Sequence, residues 1–406
     1  MDLLEPVTQP YAWGSHTAIA ELQGRPAPTA QPEAELWVGA HPSAPSGLDR
    51  AGVRTTLDAV IAADPAGELG AECATRFGGR LPFLLKVLGV EKSLSIQVHP
   101  SREQAEEGYR AENERGLAPG DKSRNYVDDW PKPEILCALT RFEALAGMRT
   151  AADAAALLRA LEVSELAPLA ADLAGAADLA GAADSAALSW ALATILTWPV
   201  AGRGALIAAV VAACERVATR GGVYAAACAA AARTACDHKG DLGIVASLLL
   251  RHVVLRPAEA IFMPAGGLHA YLRGTGVELL ANSDNVVRAG LTSKHIDVPE
   301  LLKLTDPAAG VPVIEPRPLG GGVSAYDSPA PEFRLYRAAL GPGEVTLPGG
   351  GCARVVLCAE GTGALRASSG ALRVAKGESC YLPARDGAIT ASGPVVLFIA
   401  GTGPDS

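Results

Sequence analysis

Short apolar runs closed by glycine or proline fill residues 1 to about 149 and return after about residue 251. LPFLLKVLG (Leu81–Gly89), SLSIQVHP (Ser93–Pro100) and EILCALT (Glu134–Thr140) read as buried strands between breakers. The charged stretch Ser101–Arg115 predicts a solvated helix, with Ser101 as N-cap and Glu103 and Gln104 in its first turn. From about Arg149 to Leu250 the pattern becomes Ala-rich and helical. The six-residue near-repeat ADLAGAADLAGAAD at 171–184 is too short for a solenoid unit and predicts small-residue helices joined by glycine breaks. Ala201–Cys236 predicts one or two helices broken near Gly221-Gly222, and no chemistry is expected from the whole block.

Strand patterns resume at 251–290, in RPAEAIFMPAG and LHAYLRGTGVELLA. Beyond about Ile314 they dominate: ARVVLCAEG, GALRVAKG, SCYLPA and PVVLFIAG follow one another between turns. Regular short strands of this kind predict a sandwich or barrel. The expected fold is therefore β-rich, with a helical block inserted inside.

Composition narrows the classes. At roughly 100–200 residues per domain, 406 residues allow two to four domains, or one large fold with insertions. A chain that is 49% hydrophobic and 19% charged can bury large cores, which excludes wholesale disorder. A net charge of -9 argues against a general binder of nucleic acid or anionic membrane, although a few local cations still suffice for one phosphate. The eight cysteines form no CxxC pair and sit among Ala and Val, as reduced core thiols do. MDLLEPVTQPYAWGS has no basic region followed by an apolar stretch, and the run Ala205–Ala213 is too short to span a bilayer. These features predict a reducing, cytoplasmic setting.

Three places could carry chemistry. Gln97 and His99 project from the same face of an apolar strand, while Ile96 and Val98 face the opposite layer. Glu134 opens a strand after Trp130-Pro131-Lys132-Pro133, whose prolines favour an extended, stiff approach. His269 enters a strand after Gly266-Gly267, which permit close backbone approach. Each also has an ordinary reading: a hydrogen-bonded cleft histidine, an exposed strand-end glutamate, a core histidine. Together Gln97, His99, Glu134 and His269 form a mixed N/O set that suits Zn²⁺ and could also take Fe²⁺ or Mn²⁺.

The segment ELLANSDNVVRAGLTSK (Glu278–Lys294) is polar where a core strand would stay apolar. Arg288 and Lys294 bracket Gly290, and a glycine beside two cations suits close approach to an anion. A surface loop with routine ion pairs would look the same. Glu278 lies nine positions beyond His269, and a Gly274–Gly276 hairpin turn could return it to the same cavity.

SLSIQVHP, the WPKPE segment, LHAYL and SDNVVRAGLT resemble the motifs of the type I phosphomannose isomerases, as do PYAWGS, ELWVGAHPSAPS and GRLPFLLKVL. The resemblance runs with gaps from about Pro10 to Leu304, in family order. It implies a mainly β fold: a cupin-type barrel or jelly-roll core with an inserted helical domain and a second, degenerate C-terminal cupin. Residues 1–149 and 251–313 would then form the catalytic cupin, 150–250 the helical insertion, and 314–406 a β domain without metal ligands. The resemblance implies one zinc ion held by Gln97, His99, Glu134 and His269. Arg288 corresponds to the family's active-site arginine; Ser95, Lys132, Glu278 and Lys294 fall in pocket-lining motif positions, joined by Trp13 and Tyr271. The chain departs from the family at Ser293, where a proline is usual, and at Asp237-His238-Lys239-Gly240-Asp241.

The implied reaction interconverts mannose 6-phosphate and fructose 6-phosphate through an enediol, serving mannose entry to glycolysis or the supply of glycan precursors. Arg288 would stabilise the enediolate, and Lys294 and Ser95 would hold the phosphate. Glu278 or a water on the metal would move the proton, with Lys132 a further candidate base. A sugar-phosphate substrate, no nucleic acid or membrane partner, and a monomer or weak oligomer complete the expectation. Two other readings stand beside it: a non-catalytic sugar-phosphate-binding cupin, and an iron oxygenase built on His99, His269 and Glu134.

Overall fold

The computed structural model describes residues 1–177 and 181–403. Its strands form two large sheets, and its longer helices lie mostly in one block between them in sequence. The part of the near-repeat at 178–180 lies outside the described residues.

The first sheet runs Val313–Ile314, Ala260–Met263, Glu134–Ala138, His269–Ala281, Phe83–Val90, Glu35–Gly39, Val7–Gln9. All eight residues of Phe83–Val90 are buried, because both of its faces are covered. Leu85 and Val87 pack toward the second sheet with Val355, Leu357 and Phe398. Leu84, Lys86 and Leu88 alternate to the other side, which is the interior of the first barrel.

His269–Ala281 is the strand on which this barrel turns. Its first part pairs with Phe142–Met148 and Ile96–Val98, and its second part with Phe83–Val90 and Glu134–Ala138. The hairpin expected at Gly274–Gly276 does not exist, because the strand bends and continues. Gly274 absorbs the bend at φ 131°, where an added Cβ would stand 2.8 Å from the carbonyl of Arg141.

The helical block comprises Ala151–Leu161, Ala167–Ala177, Ala182–Leu196, Val200–Arg220, Ala225–Asp237 and a short turn at Gly243–Ala246. Thr150 caps the first helix by accepting from the amide of Asp153. Ile96 and Val98 do face an opposite layer, which is this block: they share its core with Leu157, Leu192 and Val245. No single helix among the described residues is long and apolar enough to cross a membrane.

The second sheet gathers the C-terminal strands and also takes Asp2–Glu5, Gly47–Arg50 and Val53–Thr56. Asp2–Glu5 pairs in register with Ser379–Leu382. A division of the chain at 149, 250 and 313 assigns those strands to the other β unit. Their short apolar runs look alike in sequence, and only pairing sorts them into sheets. The cysteines are free thiols; six are buried, Cys236 is exposed and Cys352 is partly so.

Candidate metal centre and substrate cavity

Two cross-strand rows build the site. In the first, Arg288 stands opposite Gln97, and Gln97 opposite His269. In the second, Trp37 stands opposite Lys86, and Lys86 opposite Glu278. Partners across a ladder share a face, so each row delivers its side chains to one side.

Glu278 lies an odd number of positions after His269, and a regular strand would turn them to opposite faces. The register slips between Tyr271, opposite Ala144, and Arg273, opposite Glu143. One extra residue is accommodated there as a bulge, which reverses the alternation. His269 and Tyr271 on one side of the bulge and Glu278 on the other thus reach the same interior.

His99, Glu134 and His269 converge with nearly complete burial, and their ligand atoms lie within 4.8 Å of one another. Glu134 Oε1 is 3.2 Å from His99 Nε2, and Glu134 Oε2 is 3.4 Å from His269 Nε2. The far ring nitrogens are engaged: His99 Nδ1 bonds the carbonyl of Asn285 at 2.7 Å, and His269 Nδ1 that of Gly267 at 2.9 Å. A carbonyl can only accept, so each Nδ1 carries a proton and, in the neutral ring, each Nε2 presents a lone pair to the carboxylate. His99 Nε2 and Glu134 Oε2 have no hydrogen-bond partner. Facing lone pairs in a dry interior call for a cation. Ligand atoms bound at 2.0–2.1 Å around a tetrahedral ion stand roughly 3.3 Å apart, which matches this spacing. Gln97 Nε2 lies 3.3 Å from His269 Nε2, and a half-turn of its amide brings Oε1 to the same point.

The electrostatics agree. Burial, partly offset by Glu134, pushes the His99 imidazole down to about 4, so the ring is neutral. Burial raises the Glu134 carboxyl, but the Lys132 cation beside it opposes burial and the carboxyl lies well below the usual range. Lys132 Nζ is 3.5 Å from Glu134 Oε1.

Beside this centre opens a cavity of about 940 Å³. Gln97, Glu134, Lys132 and Glu278 line it, as do Tyr271, Ser95, Trp13, Arg288 and Lys294; His99 and His269 lie behind it. Every residue singled out in the sequence is thus in the cavity wall or directly beneath it. Arg288 is half-buried, and burial lowers its guanidinium; burial and then Arg288 lower the Lys294 ammonium. Among the described residues neither has an ion-pair partner, so the two cations leave room for an anion. Gly290 serves a different end from the one expected. An added Cβ would stand 2.6 Å from Gly243 Cα, so its close approach is to the helical block.

The sequence reading missed three parts of this cavity. Lys86 is buried with Nζ 3.3 Å from Glu35 and 3.7 Å from Glu278, and 4.8 Å over the Trp37 ring. Burial would lower its ammonium, but Glu35 and Glu278 outweigh burial and raise it. A lone lysine inside an otherwise apolar run was the available signal. Glu35 and Trp37 lie in the ELWVGAHPSAPS motif, but nothing local marked them as cavity residues. The Asp237–Asp241 segment, at the end of the helical block from which no chemistry was expected, also lines the cavity. Asp241 ties it there by accepting from the amides of Gly243 and Thr292.

Comparison with known proteins agrees with this geometry. Residues 1–151 match the family of the phosphomannose isomerase type I catalytic domain. The mannose-6-phosphate isomerase of Salmonella typhimurium is 36% identical over 398 residues, covering 95% of both chains. The bovine mannose-6-phosphate isomerase is 35% identical, covering 84% of this chain and 82% of its own. This chain belongs to the type I phosphomannose isomerase family. The crystal structure of the K86A mutant of the Salmonella phosphomannose isomerase superposes over 100% of both chains, with TM-score 0.90 at 33% identity. A zinc-bound holo mannose 6-phosphate isomerase superposes over 99% of both chains, with TM-score 0.89 at 34% identity. Within a phosphomannose isomerase frame the two-sheet fold is the expected cupin architecture. The binding-protein and iron-oxygenase readings gain nothing from these likenesses.

Proposed function

We propose that this chain is a zinc-dependent aldose–ketose isomerase acting on mannose 6-phosphate and fructose 6-phosphate. The observation that carries this reading is the convergence of two imidazole nitrogens and an ionised carboxylate beneath a cavity lined by Arg288 and Lys294, neither of which has an ion-pair partner among the described residues. His99, Glu134 and His269, with Gln97 as the fourth, would hold the zinc. Bound there, zinc supplies a Lewis-acid charge toward the sugar oxygens at C1 and C2.

The remaining roles belong to side chains of the cavity. Arg288 and Lys294 hold the phosphate end or the developing enediolate, with Ser95 assisting the former; Trp13 and Tyr271 form walls. Glu278 is the base that moves the proton between C2 and C1. Burial and then Glu134 push its carboxyl up to about 8, offset in part by Lys86 and Lys132. A carboxylate poised near the working pH both takes and returns a proton. Lys86 keeps the ionised form of Glu278 within reach, and Lys132 does the same for Glu134.

The unit at work is a catalytic cupin made of most of 1–149 and 251–313, closed on one side by the helical insertion, 150–250. The C-terminal β domain is built on 314–406 and takes in Asp2–Glu5, Gly47–Arg50 and Val53–Thr56. A monomer or weak oligomer suffices, because one chain lines the cavity. Free cysteines fit a reducing cytoplasm. The test is a coupled assay for fructose 6-phosphate formed from mannose 6-phosphate, on metal-stripped protein with and without Zn²⁺. Restored turnover is expected. A folded, zinc-loaded protein with no turnover overturns the reading.

A further inference from the structure

His99 and Glu134 reach the metal centre from separate segments, and one buried residue joins the supports of both. Asn285 has no exposed surface and sits between the His269–Ala281 strand and the strand that carries Arg288. Its main-chain carbonyl accepts a hydrogen bond from His99 Nδ1–H at 2.7 Å. Its side-chain Oδ1 accepts from the amides of Val127 at 2.7 Å and Asp128 at 3.2 Å. Its Nδ2 donates to the carbonyls of Asp128 at 2.8 Å and Trp130 at 2.9 Å, with the Asp128 carboxylate at 3.2 Å. Ser283 Oγ repeats the link, donating to the Asp128 carboxylate at 2.8 Å and lying 3.2 Å from the Trp130 carbonyl.

Trp130 opens the segment that runs through Pro131 and Pro133 to Lys132 and Glu134. Two prolines leave little freedom between Trp130 and Glu134. Where Asn285 fixes the Trp130 carbonyl, the stiff segment fixes the Glu134 carboxylate. The same residue's main chain orients the His99 ring. We propose that Asn285 is a positioning residue that sets the separation of His99 Nε2 from Glu134, and through it the affinity of the centre for its metal. Groups that orient ligands from behind typically change metal affinity by about 10–100-fold when removed. The inference rests on the reading of His99, Glu134 and His269 as ligands.

Asn285→Ala keeps the main-chain carbonyl for His99 but releases the Val127–Trp130 segment. The measurement is zinc affinity by competition with a chromophoric chelator, together with the visible spectrum of the cobalt(II)-substituted protein. A weakening of about 10–100-fold and an altered cobalt spectrum are expected. Asn285→Asp keeps the acceptor for the two amides but loses both donors, so it should fail to rescue. Leu365→Ala, in the interior of the C-terminal barrel, is the control: it should lower the melting temperature and leave zinc affinity unchanged. Should Asn285→Ala not fold, Ser283→Ala removes the parallel link and should weaken zinc binding to a smaller degree. Parental zinc affinity and cobalt spectrum in the variants, beside a lower melting temperature, would overturn the inference while leaving the metal site intact. A parent protein that binds no zinc overturns the site reading and this inference together.

Discussion

The two β interiors of this molecule obey the same alternation and hold opposite contents. In the C-terminal barrel the inward positions are Val356, Cys358, Leu365, Cys380, Leu397 and Ile399, packed without chemistry. In the other, Lys86, Glu134, Tyr271 and Glu278 occupy inward positions and leave a cavity. The cations differ in the same sense. Arg354, two residues before Val356, is fully buried and spends its two terminal nitrogens on the carbonyls of Pro348 and Gly387, while its Nε has no partner. Arg288 and Lys294 have no ion-pair partner among the described residues. A buried polar group that is satisfied stabilises; one left open in a cavity is available to a ligand. The contrast teaches that a site is written in which inward positions are polar, and less in the strands themselves.

The comparison breaks most sharply at the metal ligands. His99→Ala or Glu134→Ala should abolish zinc retention and cut kcat/KM by more than the ~10²–10³-fold typical of losing one electrostatic contact. Metal content and the coupled assay read both, and a variant that keeps zinc and turnover would remove that residue from the ligand set. Next comes Glu278→Gln, with a loss of about 10²–10⁴-fold expected for a missing general base. The sign follows from the raised carboxyl: below about 8 Glu278 is protonated and cannot accept a proton, and above it the base form prevails. The parent's kcat/KM should rise with pH through this region, and the variant should lose that limb. An unchanged limb in Glu278→Gln assigns it elsewhere.

On the packed side the effects move from activity to stability. Leu365→Ala should cost about 2–5 kcal/mol, seen as a lower denaturation midpoint with unchanged kcat and KM per folded molecule. A fall in kcat would mean that the second barrel shapes the cavity. The smallest effect belongs to Ser101, which closes a reciprocal capping box with Gln104 at the start of Arg102–Glu114. Ser101→Ala should cost about 1 kcal/mol in thermal unfolding.

Much of this was legible from the residues. The N-cap at Ser101, the break between helices at Gly221-Gly222 and the sharing of one face by Gln97 and His99 each follow from local rules of spacing and propensity. The motifs made a stronger statement than any single residue, because several stood in family order. Lys86 shows where local rules failed: its strand was recognised as buried, yet its direction could not be known until Glu35 and Glu278 stood beside it. The second sheet shows the same limit, since Asp2–Glu5 and Ser379–Leu382 are separated by almost the whole chain.

By itself the sequence determined which segments bury themselves, where the charged helix at Ser101 starts and where the Ala-rich helices break at Gly221-Gly222, and which residues have the chemistry to hold a metal and a phosphate. Those are properties of neighbours a few residues apart. Tertiary structure decided which of them meet. The bulge after Tyr271 turns Glu278 and His269 into one cavity, Asn285 binds the two halves of the centre together, and the Asp237–Asp241 segment closes the wall. Register and bulge depend on pairing between distant strands, and a single shifted residue sends a side chain to the other face.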